Sequence, residues 1–302
     1  MQVMLPVAKR KENRKLNDDS KLGVEELSLL KANFNEGNPE NAKAEIDAYL
    51  KSYPKNPAGY LLRAIYHGMA GRYESAGADF EKAKSMTELS MRELLNSLQI
   101  NDLRVFHKLF LISKYIGKND EAVEWLGEAY RLLPNPESLQ LLLKFAGSTG
   151  AGTTYLDELF PVSDPSKRWL LAEGWISIEN YMRAIQVLQG LEKIEGSDFD
   201  RNNILKAVAY LKMNRVDDAA ACAGQVRQGS AYKEIAKSIE TFWLLLNGEA
   251  ERAQEFMAGL KPCEYLRVAQ FFLEECGRVA GEGQVKFPGH KEFDVFLKCF
   301  KV

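Results

Sequence analysis

Apolar residues recur three and four positions apart through most of this chain, the spacing of an α-helix with one buried stripe. In "LLKANFNEGNPENAKAEIDAYLKSYP" and again in "LLRAIYHGMAGRYESAGADFEKA", two such stripes flank a short break at Gly37 and at Gly71. Each stretch reads as a pair of helices joined by a tight turn. No segment shows the two-residue alternation of a half-buried strand over useful length. The pattern therefore predicts an all-α protein.

The pairs return in register. The turn positions are Gly37, Gly71, Gly117, Glu179, Asn214 and Gly248. Five residues after each comes a small residue: Ala42, Ala76, Ala122, Ala184, Ala219 and Ala253. Four further on stand Ile46, Phe80, Leu126, Leu188, Ala223 and Met257, and seven before the turn stand Leu30, Ala64, Phe110, Ala172, Ala207 and Thr241. A small side chain where two helices cross lets their backbones approach. Gly or Asn at the turn tolerates a left-handed backbone. Pro54 and Pro134 follow second helices, where proline ends a helix at little cost.

Ala42 and Ala76 lie 34 residues apart. A helix pair returning at that period marks a solenoid, and the pattern resembles the tetratricopeptide repeat (TPR) family. The resemblance implies a right-handed superhelical solenoid of antiparallel helix pairs, about seven units with C-terminal capping helices. Two intervals are longer. Ala76 to Ala122 spans 46 residues, and "ELSMRELLNSLQIN" within it predicts an extra helix near 88–102. Ala122 to Ala184 spans 62 and holds a degenerate unit with the Gly-rich "GSTGAG". The expected organisation is a disordered basic tail at 1–22, repeat units at 23–136, the degenerate unit at 137–164, further units at 165–260 and capping helices at 261–302. A final aromatic helix, "HKEFDVFLKCF", reads as docking on the helix before it, with a contact for a partner or a second copy as the alternative.

Composition narrows the function. Lys and Arg total 40 and Asp and Glu 42. Such a balance lacks the basic stripe of a nucleic-acid protein. The basic cluster Lys9, Arg10, Lys11, Arg14 and Lys15 reads as a solvated tail; an RNA-binding arm is the alternative. No run reaches the roughly 18–20 apolar residues of a membrane span. Four scattered cysteines, Cys222, Cys263, Cys276 and Cys299, suit a reduced, cytoplasmic chain.

No catalytic constellation stands out. His67, His107 and His290 are the only histidines, and neither of the two on repeat helices, His67 and His107, has a second ligand three or four residues on, so no metal site is expected. "GSTGAGTT" lacks the lysine of a phosphate loop and follows a helix. No cofactor is expected either. The chain reads as a non-enzymatic scaffold or adaptor. By the resemblance, the first helix of each pair lines a concave groove. Carried over by register, the lining is Leu27, Lys31 and Phe34, then Leu61, Ile65 and Met69, then His107, Leu111, Lys114 and Tyr115. A mostly apolar groove suits a peptide or amphipathic helix of another protein. The alternative is a structural subunit of an oligomer.

Overall fold

In the computed structural model, residues 39–258 are described, apart from 193, 195 and 196. They hold fourteen helices and no strand. In chain order these are α1 (Pro39–Ser52), α2 (Pro57–Met69), α3 (Tyr73–Ser85), α4 (Met91–Ser97), α5 (Leu103–Tyr115), α6 (Asn119–Leu132) and α7 (Pro136–Thr149). There follow α8 (Thr153–Leu159), α9 (Pro165–Ser177), α10 (Tyr181–Leu191), α11 (Phe199–Lys212), α12 (Val216–Ala223), α13 (Lys233–Leu246) and α14 (Ala250–Ala258). The expected tail, the capping helices, Leu27, Lys31 and Phe34 lie outside the described residues. Two compact units divide after Trp125, within α6.

The five-residue step from turn to alanine has a hydrogen-bond cause. Gly71, Gly117, Glu179, Asn214 and Gly248 all have positive φ, between 57° and 77°. Each turns the chain so that the next residue closes the first helix. Arg72 N–H donates to the carbonyl of His67, Lys118 to Ser113, Asn180 to Trp175, Arg215 to Tyr210 and Glu249 to Leu244, at 2.8–2.9 Å. These are the six-to-one bonds of a Schellman cap. The same five residues then open the second helix. Their carbonyls accept from Ala76, Ala122, Ala184, Ala219 and Ala253. One residue thus ends one helix and starts the next, and the alanine falls on its first intrahelical bond.

All six alanines, Ala42 included, are buried, and Ile46, Phe80, Leu126, Leu188 and Ala223 are buried beside them. In the first unit α2 packs on α1, α3 and α5. In the second, α9 touches α7, α10 and α11, and α11 touches α10, α12 and α13. First helices therefore touch first helices of neighbouring pairs. Burial at these crossings, at roughly 25 cal/mol per Å2 of apolar surface, is what holds such a stack together.

The two long intervals resolve differently. The extra piece is α4, opened by a capping box: Ser90 accepts from Glu93 N–H and the Glu93 carboxylate accepts from Ser90 N–H. It buries Met91, Leu94, Leu95 and Leu98, and ends in its own left-handed residue, Gln99. The break expected over 147–152 is shorter. Helix α7 runs on through Thr149, because Gly150 at φ 69° is its left-handed cap. Gly152, also left-handed, starts α8. The Tyr155 ring of α8 lies so close to Gly127 that a Cβ there would sit 2.1 Å from it, and its hydroxyl donates to Glu128.

Candidate functional site

Helix α5 has three faces. Asp102 caps it by accepting from Arg104 N–H at 2.7 Å, and Gly117 ends it. Val105, Leu109 and Ile112 are buried on one face, with Ile112 against Gly68 of α2: a Cβ on Gly68 would stand 2.8 Å from the Ile112 Cδ1. Phe106 and Phe110 are buried on the second, with Phe106 stacked on Trp125 of α6 at 6.1 Å. His107, Leu111 and Lys114, at i, i+4 and i+7, share the third. His107 and Lys114 are exposed there and Leu111 is half-buried, and Tyr115 at the edge is 60% exposed.

The structure thus brings together four of the expected lining residues. Two others are elsewhere. Leu61 and Ile65 are 0% and 1% exposed. They share a helix face with Gly68, and α5 lies against that face. The expectation that they line an open surface is corrected: a glycine at position 68 lets α5 approach, and the stripe becomes core. Met69, at the end of α2, is half-buried.

Rings and cations surround the exposed face. The His107 ring stacks on Phe110, and the Lys114 ammonium lies 6.0 Å from the same ring centroid. Tyr115 pairs with Tyr73 at 6.0 Å, beside a cleft of about 360 Å3 lined by Arg72, Glu74 and Ser75. Neither Lys108 nor Lys114 has a carboxylate partner among the described residues, whereas Arg104 is paired with Asp102. Lys108, Arg104 and Tyr73 escaped the family register. Their signal in the sequence is that neither "PAGYLLRAIYHGM" nor "LRVFHKLFLISKY" contains an acidic residue.

A contrasting cluster ties α1, α2 and α3 together. Arg63 donates to both oxygens of Asp79 at 2.7 Å and to Asp47 at 3.3 Å. His67 Nε2 lies 3.7 Å from Asp79, and its Nδ1 is buried without a partner. Burial, aided by the Arg72 charge, holds the His67 pKa below the ordinary imidazole value. Arg63 and the two carboxylates satisfy one another, while His67 Nδ1 stays unpartnered inside the cluster. In the second unit, Arg201 stacks over Trp169 at 4.5 Å and donates to Glu173, while the Trp169 indole donates to Asn202.

Among the described residues, no group of three or more His, Cys, Asp or Glu side chains could hold a metal ion. No helix among them is long and apolar enough to cross a membrane.

No family model and no curated protein matches the sequence. Solved structures with similar helices include pilF of Pseudomonas aeruginosa, 18% identical, covering 72% of this chain and 97% of that one at a TM-score of 0.33. A tetratricopeptide repeat protein from Parabacteroides merdae is 14% identical, covering 91% and 98% at 0.34. The Naa15/Naa10 complex bound to HypK-THB is 14% identical at 0.37, and the match covers 91% of this chain and 37% of that one. At such scores no residue correspondence is drawn. The chain is an all-α, TPR-like helical repeat, and its likeness to that family lies in its own turns, alanines and helix pairs.

Proposed function

We propose that this protein is a non-enzymatic, cytoplasmic scaffold or adaptor that holds a peptide or amphipathic helix of another protein on the third face of α5. TPR-like repeats are often interaction scaffolds. The observation that carries the reading is the fate of α5. Its other faces are spent on α2, α3 and α6, and the third keeps His107, Lys114 and Tyr115 exposed around a half-buried Leu111. A helix that buries two faces and leaves apolar and aromatic side chains on the third offers anchor contacts of the kind that dominate interfaces.

Photo-crosslinking from position 115, with position 182 of the second unit as a control, tests this in native lysate. Met182 is a large exposed side chain on α10 and serves as the reference. A protein captured from position 115 alone, and lost in Leu111→Asp with the melting curve unchanged, is the expected result. Equal capture from both positions, or capture indifferent to Leu111→Asp, would overturn the reading.

A further inference from the structure

We infer that the partner of the α5 face is acidic: an amphipathic helix with carboxylates flanking its apolar stripe. This rests on the docking reading above and adds the chemistry of the occupant. Charge is shared out unevenly among the helices of the first unit. The two first helices, α2 and α5, carry Arg63, His67, Arg104, His107, Lys108 and Lys114 and no Asp or Glu. The second helices that pack with them hold the acids: Glu45 and Asp47 on α1, Glu74, Asp79 and Glu81 on α3, Asp120, Glu121 and Glu124 on α6.

Five of those acids are paired within the unit: Asp47 and Asp79 take Arg63, Glu81 takes Lys118, Glu121 takes Lys84 and Glu124 takes Arg92, while Glu74 lines the cleft beside Tyr115. Lys108 and Lys114 of α5 are left without a carboxylate partner among the described residues. Lys108 lies three residues before Leu111 and Lys114 three after, so ammonium groups flank the apolar anchor on both sides. A ligand seated on Leu111 and Tyr115 would bring its flanking side chains against them. Carboxylates there gain from the field, and ammonium groups are repelled. The same argument disfavours self-occupancy by the basic stretch "AKRKENRK" near the N-terminus. Nucleic acid is the other polyanion. The apolar and aromatic centre of this face suits a side-chain stripe better than a phosphate chain, whose grip scales with the number of cations along it.

The test uses the full chain and three helical peptides with identical leucine stripes, whose remaining positions are glutamate, serine or lysine. Fluorescence anisotropy reads binding at low and high salt, with a single-stranded RNA oligonucleotide as a fourth probe. The glutamate peptide is expected to bind about tenfold tighter than the lysine peptide, with the gap closing in high salt. Lys114→Glu should remove or invert that preference, and Lys114→Gln should halve it on a logarithmic scale. Lys114 is exposed, so both variants keep the fold, checked by melting. If the three peptides bind alike, the acidic preference is wrong while docking on α5 survives. If none binds, both readings fall. RNA bound more tightly than the glutamate peptide, and released by Lys114→Glu, would replace the inferred partner.

Discussion

The two compact units use the same turn and the same crossing alanines, yet treat polar groups on their first helices in opposite ways. In the first unit, α2 and α5 meet through Gly68 and Ile112; Arg63 of α2 pairs with Asp79 and Asp47, while Lys108 and Lys114 of α5 are left without a carboxylate among the described residues. In the second, the first helices satisfy each other. Arg201 of α11 reaches Glu173 of α9, and Trp169 of α9 reaches Asn202 of α11. Asp200, Asn202, Asn203 and Lys206 are all buried on α11, with Asp200 bonded to Arg227 and Lys206 to Glu192. Backbone hydrogen bonds fix the repeat in both units; side-chain charge decides whether a first helix is spent on internal pairing or left to meet a ligand. That is why the candidate site falls on α5 rather than on α11.

The largest expected effect separates core from surface on neighbouring helices. Leu61→Asp places a charge where no water reaches, and should cost about 4 kcal/mol or more in urea unfolding. Leu111→Asp, on the open face, should change stability by only about 0.5 kcal/mol. If Leu61→Asp melts like the parent, α5 does not cover this face of α2. Next comes Arg63→Met, which strands the nearly buried Asp79. Arg63 is itself partly in water, so the loss should be about 2 kcal/mol, short of the roughly 3–5 for a fully buried pair. Asp79→Asn combined with Arg63→Met should recover part of that loss in a double-mutant cycle.

His67 adds a pH arm to the same cluster. Burial keeps its pKa below the unfolded value of about 6.5. Between the two values the unfolded chain binds the extra proton and the folded chain does not. The stability His67 contributes is therefore complete above about pH 6.5 and falls as the pH drops toward the folded pKa. His67→Gln should flatten that part of the stability profile, measured by denaturant midpoint across pH 4–8 as an approximate window. An unchanged slope would mean that His67 is hydrated.

The spacing of turns and alanines carried the fold because both are local: the left-handed residue, the six-to-one bond and the alanine all lie within one short stretch of chain. The site was only partly legible. His107, Leu111, Lys114 and Tyr115 come from carrying the family's lining positions over by register. Leu61 and Ile65 obey the same register and are nevertheless core, since their burial depends on how near α5 comes, and that distance is set by the missing side chain of Gly68. The burial of Asp200, Asn202, Asn203 and Lys206 on α11 has no local signal either, since Asp200 and Lys206 are held by Arg227 and Glu192 from elsewhere in the chain. In the second unit, Asn203 is fully buried and neither its oxygen nor its nitrogen finds a partner. Replacing it with Leu, of similar size, should raise stability by about 1 kcal/mol; a loss would show that a water bridges it.

The smallest effects test the turn itself, where the two units differ residue by residue. The two described repeat turns of the first unit use glycine, Gly71 and Gly117, while the second uses Glu179 and Asn214 before returning to Gly248. A Cβ on Gly71 would meet nothing within 4 Å, so Gly71→Ala isolates the cost of the left-handed backbone at about 1 kcal/mol. Glu179, at φ 65°, already bears that cost. Glu179→Gly should therefore stabilise by several tenths of a kcal/mol, somewhat less than the strain relieved, because glycine also loses more entropy on folding. Asn214→Gly should do less still, since Asn tolerates this conformation. The order Gly71→Ala destabilising, Asn214→Gly near neutral, Glu179→Gly stabilising is read from thermal midpoints of the three variants. A different order would mean that these turns are held by contacts of their side chains and not by the backbone geometry that the two units share.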